Sequence, residues 1–363
     1  MFYKSCTEIN YSLSIFALYK MVVVIAMAIK SSFFEGAKVV ECNESYALNQ
    51  PLAFIKDEVD MDVSPHTSDF VNVNGIKLHY LDWGGEGETL LFLTGLGNSA
   101  HIYDDFAPRF TDKFRVLALT RRGHGDSDYP ESGYDVHNLT EDIRCFMDEL
   151  KIDKAILVGH SMAYVEQCHM SANHPEHVSK LVCLDAAYDR TKFKVFAEKS
   201  PMKDVKVPEQ DCDTVEEFIA HTKYVRPDLA EMWNKLWDEE THHTVRTTAD
   251  GKVVDRMPNE LEKLIIDSLR SYVPEEAAIK VPVLSIYAIW DKLLFPGYLT
   301  DEQKTALAEF QSQVRVPVQR ECIDQFRHNV PHAKVVEIPQ GNHYCFIAQA
   351  ELVYEEMRKF LLE

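Results

Sequence analysis

Three residue types with the right spacing for acyl-transfer chemistry occur in this chain in the order serine, acid, histidine. Ser161 lies in Gly159-His160-Ser161-Met162-Ala163, after the apolar run Ala155 to Val158 and before a helical stretch that ends at His174 and Pro175. A serine hydroxyl is a poor nucleophile until a turn presents it to a base, and a sharp strand-to-helix turn demands small residues two before and two after it. Gly159 and Ala163 meet that demand. On its own the pattern also fits an ordinary loop that happens to hold a serine. Downstream, the apolar strand Val281 to Ile286 leads to Asp291, and the strand Ala333 to Ile338 leads to Gly341-Asn342-His343. Asp185 ends a further strand, Ser179 to Leu184, and competes with Asp291 for the role of acid. The bland alternative for Asp185 is a carboxylate that caps backbone N–H groups in the next turn.

The elements that must position these groups are legible from periodicity. Phe70 to Val73 and Ile76 to Leu81 flank Asn74-Gly75, a strong hairpin signal. Leu90 to Asn98 reads as a strand ending in a glycine-rich turn, and Phe114 to Leu119 as a strand leading into Thr120 to Asp128. Asn138, three residues before Glu141, reads as the cap of a helix running through Leu150. The alternation of strands and helices predicts an α/β fold with a mostly parallel, doubly wound sheet covered on both faces. Each candidate residue follows the C-terminal end of a strand, where such sheets place their sites. The rhythm stops from Asp189 to Ile279. There Leu229, Trp233, Leu236 and Trp237 share one helical face, and Leu261, Leu264, Ile265 and Leu269 another. A second insertion, Leu293 to Arg327, has capping-box spacing at Thr300 and Gln303, with Pro317 expected to break its helix. It is expected to border the same site.

Taken together these motifs resemble the α/β-hydrolase superfamily, specifically lidded serine hydrolases of the carboxylesterase type, over roughly residues 69–362. The resemblance implies a Ser161–His343–Asp291 triad, Asp291 being preferred because it follows the strand that most often bears the acid in relatives. It implies an oxyanion hole made by the backbone N–H groups of Leu96 and Met162. Relatives usually carry histidine where this chain has Thr94. The turn at 120–128 looks like the family's G-x-G-x-S turn, with a structural role, although Arg122 could reach the pocket mouth. A helical lid over about 187–279 would set substrate choice, with Trp233, Trp237 and Tyr164 as pocket residues, or Trp233 and Trp237 as lid packing. Tyr164 departs from the small residue often found there. The implied reaction is hydrolysis of a carboxylic ester or related acyl bond, without a cofactor. Serine rather than aspartate at the turn argues against alkyl-enzyme chemistry on epoxides or haloalkanes. Two alternatives stay open. One is a carbon–carbon hydrolase or aminopeptidase on the same triad, the latter using Glu216, Glu217, Glu239 or Glu240 to hold an amine. The other is a ligand-binding protein with a vestigial triad.

Composition narrows the partners. The 363 residues carry a formal charge of −20, which argues against nucleic acid, since phosphate binding needs clustered Lys and Arg. A small apolar acyl compound is the expected substrate. His242-His243 with Glu239 and Glu240 reads as a solvated helix end, and no metal-binding motif occurs, so no metal is expected. The eight cysteines show no disulfide framework. Residues 1–30 hold the apolar stretch Tyr11 to Ile29 and read as a signal peptide, an uncleaved anchor, or else an alternative start at Met21 or a disordered leader. Residues 31–68 read as a linker. The location implied is secreted, periplasmic or membrane-anchored, otherwise cytoplasmic.

Overall fold

The computed structural model describes residues 65–363. The signal-peptide or anchor segment and nearly all of the expected linker lie outside the described residues. The first strand begins at Thr67, inside the last two residues assigned to that linker. Among the described residues no helix is long and apolar enough to cross a membrane.

Asn74 and Gly75 both take positive φ, 50° and 78°, as the tight two-residue turn requires. That turn joins β1 (Thr67–Val73) to β2 (Ile76–Gly84) in antiparallel register. Next come β3 (Thr89–Leu93), β4 (Arg115–Leu119), β5 (Ala155–His160) and β6 (Val178–Leu184). A small hairpin follows, β7 (Val245–Thr247) with β8 (Val253–Asp255). The main sheet resumes with β9 (Val283–Ala288) and β10 (Lys334–Ile338). The eight-stranded sheet has the order β1-β2-β4-β3-β5-β6-β9-β10. Only the pairings of β2 with β1 and β4 are antiparallel. The remaining pairs are parallel.

The parallel strands are apolar without interruption because both faces are covered. Successive residues fall into different core layers: Leu90 and Phe92 pack on one side of the sheet, Leu91 and Leu93 on the other. Leu157 and Cys183 join the second layer, and Ile156, Val158 and Val182 the first. Each fully buried side chain of this kind contributes about 1.5–3 kcal/mol.

Two local expectations change. The helix before β5 runs Val136–Glu149, and its cap is Asp135, whose side chain accepts from the Asn138 N–H. Asn138 is therefore inside the first turn, and an earlier residue with the same capping chemistry takes the role. In the second insertion, Thr300 and Gln303 do form a reciprocal capping box. Pro317 does not end the helix there. A π-helical stretch, Gln311–Arg315, precedes it, and Pro317 falls in the first turn of the next helix, Val316–Asn329, where its missing N–H costs little.

Between β6 and β9 the chain leaves the sheet for the helices Lys194–Lys199, Val215–Val225, Lys235–Thr244 and Asn259–Ser271, together with the β7–β8 hairpin. This inserted segment lies over the C-terminal ends of the strands, where the candidate residues converge.

Candidate active site

Ser161 follows β5 directly and adopts φ of 54°, a left-handed conformation that costs a non-glycine residue on the order of 1–3 kcal/mol. Close packing holds it there. A Cβ on Gly159 would lie 2.6 Å from the Gln167 side chain. The Gln167 amide donates to the carbonyls of Leu157 and Val182, both at 2.9 Å, and so ties the helix after Ser161 to β5 and β6. The Ser161 N–H reaches the Leu184 carbonyl. The helix Ala163–Asn173 then starts immediately, with its N-terminus beside the serine hydroxyl.

His343 comes from the loop after β10. Gly341 lets that loop pass close to β9, since a Cβ there would sit 2.7 Å from the Ala288 Cα. His343 Nε2 is 2.9 Å from Ser161 Oγ, and Nδ1 is 2.6 Å from the Asp185 carboxylate. Asp185, fully buried at the end of β6, also takes a positive φ, 44°. Its other contacts are the Ala288 N–H, the Trp290 indole N–H and the Tyr188 hydroxyl. Gln319 braces this arrangement from the second insertion: its amide N donates to Tyr188 and to the Ala288 carbonyl, and its amide O accepts from the Trp290 N–H. That insertion thus supports the acid from behind.

The structure places Asp185, not Asp291, against His343. Beyond β9 the chain turns so that Trp290 points inward to Asp185, which leaves Asp291 outside. Asp291 is exposed and accepts the Gln340 N–H at 2.7 Å. The capping role weighed for Asp185 therefore belongs to Asp291, and the position against the imidazole to Asp185.

Leu96 and Met162 line a cavity of about 40 Å³ at Ser161, together with Phe193, Phe196, Ile266, Leu269 and the arginines Arg190 and Arg270. The loop that carries Leu96 is pinned from above. Glu240, on the inserted helix Lys235–Thr244, accepts from the Ser99 N–H at 2.8 Å, the Ser99 hydroxyl at 2.5 Å and the Asn98 amide at 3.0 Å. Burial pushes its carboxyl up to about 7, against the pull of those three donors. Beneath the loop, Gly95 allows close approach of His160, as a Cβ there would meet Nδ1 at 2.6 Å. Burial holds the His160 pKa far below its ordinary value, and Nε2 lies 3.0 Å from the His343 carbonyl. Thr94, in place of the usual histidine, is buried and contributes its carbonyl to Arg121.

The expected pocket residues lie elsewhere. Trp237 is buried against Tyr344, with ring centroids 4.9 Å apart, and against Trp233 at 5.6 Å. Neither tryptophan borders the cavity at Ser161. Tyr164 faces away from it, donating its hydroxyl to Glu276 at 2.9 Å and packing edge-on to Phe326. One helical turn of the sequence cannot reveal which side of an insertion meets the sheet, so an aromatic stripe that anchors is easily mistaken for one that binds. Arg122 does not reach the mouth either: it forms a two-pronged pair with Asp142 at 2.5 and 2.6 Å. The pocket residues that sequence reasoning missed are Phe193, Phe196, Ile266, Arg190 and Arg270. Leu269 was noted only as part of an apolar face. The Trp237→Ala protein is expected to melt on the order of 5–10 °C lower, from about 3–5 kcal/mol of lost packing. Calorimetric melting checks this, and an unchanged Tm would contradict the anchoring role.

Two sets of side chains offer closely spaced metal-ligand atoms: His66, His101 and Asp104, and His101, Glu239 and His243. Their atoms are engaged with one another. Asp104 contacts both His66 and His101, at 3.0 and 2.8 Å. His243 contacts Asp126 and Glu239, at 2.5 and 3.2 Å, and its ring stacks on His101 at 3.7 Å. This network fastens the inserted helix Lys235–Thr244 to the loop after β3. His243, read from the sequence as part of a solvated helix end, is largely enclosed by it.

An open mostly parallel sheet with a serine on a strained turn, facing histidine and aspartate from later strands, defines a class of folds with a shared site architecture. The family model for the alpha/beta hydrolase fold matches residues 88–349, and the chain belongs to that family. Among curated proteins it is 31% identical over 132 residues to 2-(acetamidomethylene)succinate hydrolase of Mesorhizobium japonicum, covering 34% of this chain and 48% of that protein. It is 32% identical over 119 residues to epoxide hydrolase 1 of Caenorhabditis elegans, covering 32% of this chain and 30% of that one. The chain thus spans less than half the length of these two relatives. Among solved structures, E-2-(acetamidomethylene)succinate hydrolase aligns with a TM-score of 0.64 at 20% identity, over 82% of this chain and all of that one. The enol-lactonase from Burkholderia xenovorans aligns with a TM-score of 0.51 at 20% identity, over 81% of this chain and all of that one.

Proposed function

We propose that this protein is a serine hydrolase that cleaves a carboxylic ester or related acyl bond through an acyl-enzyme. The observation that carries the reading is the unbroken series from Ser161 Oγ to His343 at 2.9 Å and from His343 to Asp185 at 2.6 Å. Ser161 attacks the carbonyl carbon as His343 Nε2 takes its proton. Asp185 holds the Nδ1–H tautomer and stabilises the imidazolium. The N–H groups of Leu96 and Met162 receive the oxyanion, and the N-terminus of the helix Ala163–Asn173 favours the same charge. His343 returns the proton to the leaving group. Water activated by His343 then releases the acid. Treatment with a fluorophosphonate, followed by mapping of the modified residue, tests this: labelling at Ser161 is expected, and an unlabelled, folded protein would overturn the reading.

In this reading the inserted segment acts as a lid that both walls the pocket and sets the oxyanion loop. Among the described residues all of the Glu240 side-chain hydrogen bonds go to that loop, so it does not serve to hold a substrate amine. Glu240→Ala leaves Ser99 and Asn98 without their buried acceptor, at about 1–3 kcal/mol. It is expected to lower kcat on an activated ester by about 10- to 100-fold, with a smaller change in KM, because an oxyanion donor acts chiefly in the transition state. Steady-state kinetics well below the melting temperature check this. A lowered Tm with kcat unchanged would leave Glu240 a purely structural tie.

A further inference from the structure

Arg190 opens the inserted segment, in the short helical turn Arg190–Phe193 that follows β6. Its side chain is buried, only 5% exposed, and forms part of the cavity wall at Ser161. Nη2 lies 3.4 Å from Ser161 Oγ, a long and weak contact. Nε is buried without a hydrogen-bond partner among the described residues. Of the four other buried arginines, Arg315 lies over the Trp290 ring and donates to the Gln311 amide oxygen, while three hold a carboxylate: Arg121 with Glu166, Arg122 with Asp142 and Arg226 with Asp228. Arg190 has no such partner among the described residues. Its sequence neighbour Asp189 instead accepts from the N–H and hydroxyl of Thr191. A guanidinium taken out of water without an anion carries a desolvation penalty, which an incoming anion relieves.

We propose that Arg190 binds a carboxylate on the acyl part of the substrate, so that the site selects short acyl groups bearing a second, anionic carboxyl. This rests on the reading of Ser161 as nucleophile. The guanidinium presents a planar fork that matches a carboxylate in two-pronged fashion. Arg270 borders the same cavity and adds positive charge. Phe193, Phe196, Ile266 and Leu269 supply apolar walls for the methylenes between the two carboxyl groups. Because Nη2 is so near Oγ, the carboxylate must lie about two or three bonds from the attacked carbonyl carbon, and the cavity of about 40 Å³ admits only a short linker. Half-esters of malonic and succinic acid have that form. The apolar substrate expected from the sequence is thereby amended at one end: the walls are apolar, and the contact for the second carboxyl is a cation.

The test compares ethyl hydrogen succinate with ethyl pentanoate, a neutral ester of similar length, in the full-length protein. The anionic ester is expected to have the higher kcat/KM by about 100-fold, and Arg190→Gln to erase most of that ratio, since removing one partner of a buried charge pair costs about 30- to 5,000-fold. Arg190→Lys should keep part of the ratio. Loss of both esters in equal proportion would instead make Arg190 a positioning group for Ser161 and overturn the proposal. Calorimetric titration with succinate, and with dimethyl succinate as the uncharged control, reads the anion site without any turnover. Succinate should bind the wild-type protein and bind Arg190→Gln at least tenfold more weakly. Binding that is absent, or equal in the two proteins, overturns the proposal. Failure of fluorophosphonate to label Ser161 would strike the hydrolase reading separately, while the titration would still decide whether Arg190 holds a carboxylate.

Discussion

Ser161→Ala is expected to lower kcat for ester hydrolysis on the order of 10⁵- to 10⁶-fold, with the protein folded and its Tm within a few degrees of wild type. The size of the effect follows from what one oxygen does here. Without Oγ no acyl-enzyme forms, and His343 loses the group whose proton it moves. What remains is the oxyanion loop and the binding surface, which by themselves sustain only a small residual rate. The fold should tolerate the change because the hydroxyl has little packing role: it lies at the floor of the cavity, and the strained backbone of the turn is held by Gln167 and by the Ser161 N–H to Leu184. Alanine at φ of 54° bears about the same strain as serine. Product release measured in the pre-steady state would show the loss of the burst as well as the loss of turnover. Substantial turnover by purified Ser161→Ala protein would end the nucleophile assignment.

Ser161 was legible because the small residues, the strand before it and the helix after it are all local features. The same holds for the Asn74-Gly75 hairpin and for the capping box at Thr300, where a few consecutive side chains determine the geometry. His343 was legible because it follows the last strand across a glycine, Gly341, whose need for closeness to β9 is a backbone matter. The acid was not, because two aspartates end neighbouring strands and only the turn beyond each decides which one faces inward. At β6 the chain enters a tight turn with Asp185 at positive φ, aimed at His343. At β9 the turn sends Trp290 inward and Asp291 out. The pocket walls were least legible. Helical periodicity finds an apolar face but not its partner, and so it favoured the stripe with the largest side chains, Trp233 and Trp237, over the smaller Ile266 and Leu269. Arg190 had no local signal, and Glu240 stood out only as one of several carboxylates in an acidic stretch. Their meaning lies in neighbours far off in sequence, Ser99 for Glu240 and Ser161 for Arg190.

The second large effect expected is at Asp185. Its two carboxylate oxygens are matched to four donors: the Tyr188 hydroxyl and Ala288 N–H on one, the Trp290 indole and His343 Nδ1 on the other. Asparagine offers one acceptor and one donor in the same space. If its oxygen stays with Tyr188 and Ala288, its NH₂ faces His343 and makes Nδ1 the acceptor. The proton then sits on Nε2, pointing at Ser161, and the imidazole cannot act as a base. The expected loss in kcat for Asp185→Asn is about 10⁴-fold, the size found when a triad acid is replaced in this way. If the amide turns the other way, Nδ1–H keeps its acceptor and kcat falls less, but the NH₂ is driven against the Ala288 N–H; in the first orientation it meets the Trp290 indole N–H, so either way stability falls by about 1–3 kcal/mol. Both outcomes differ from what Asp291→Asn should give. Asp291 is exposed, its one side-chain hydrogen bond among the described residues is from the Gln340 N–H, and an asparagine oxygen can accept that bond equally well. Its kcat is therefore expected to stay within about threefold of wild type, as for a typical surface substitution. Measuring kcat and Tm for the two variants side by side settles which aspartate serves His343. A collapse of kcat in Asp291→Asn, with Asp185→Asn active and merely less stable, would return the acid to Asp291.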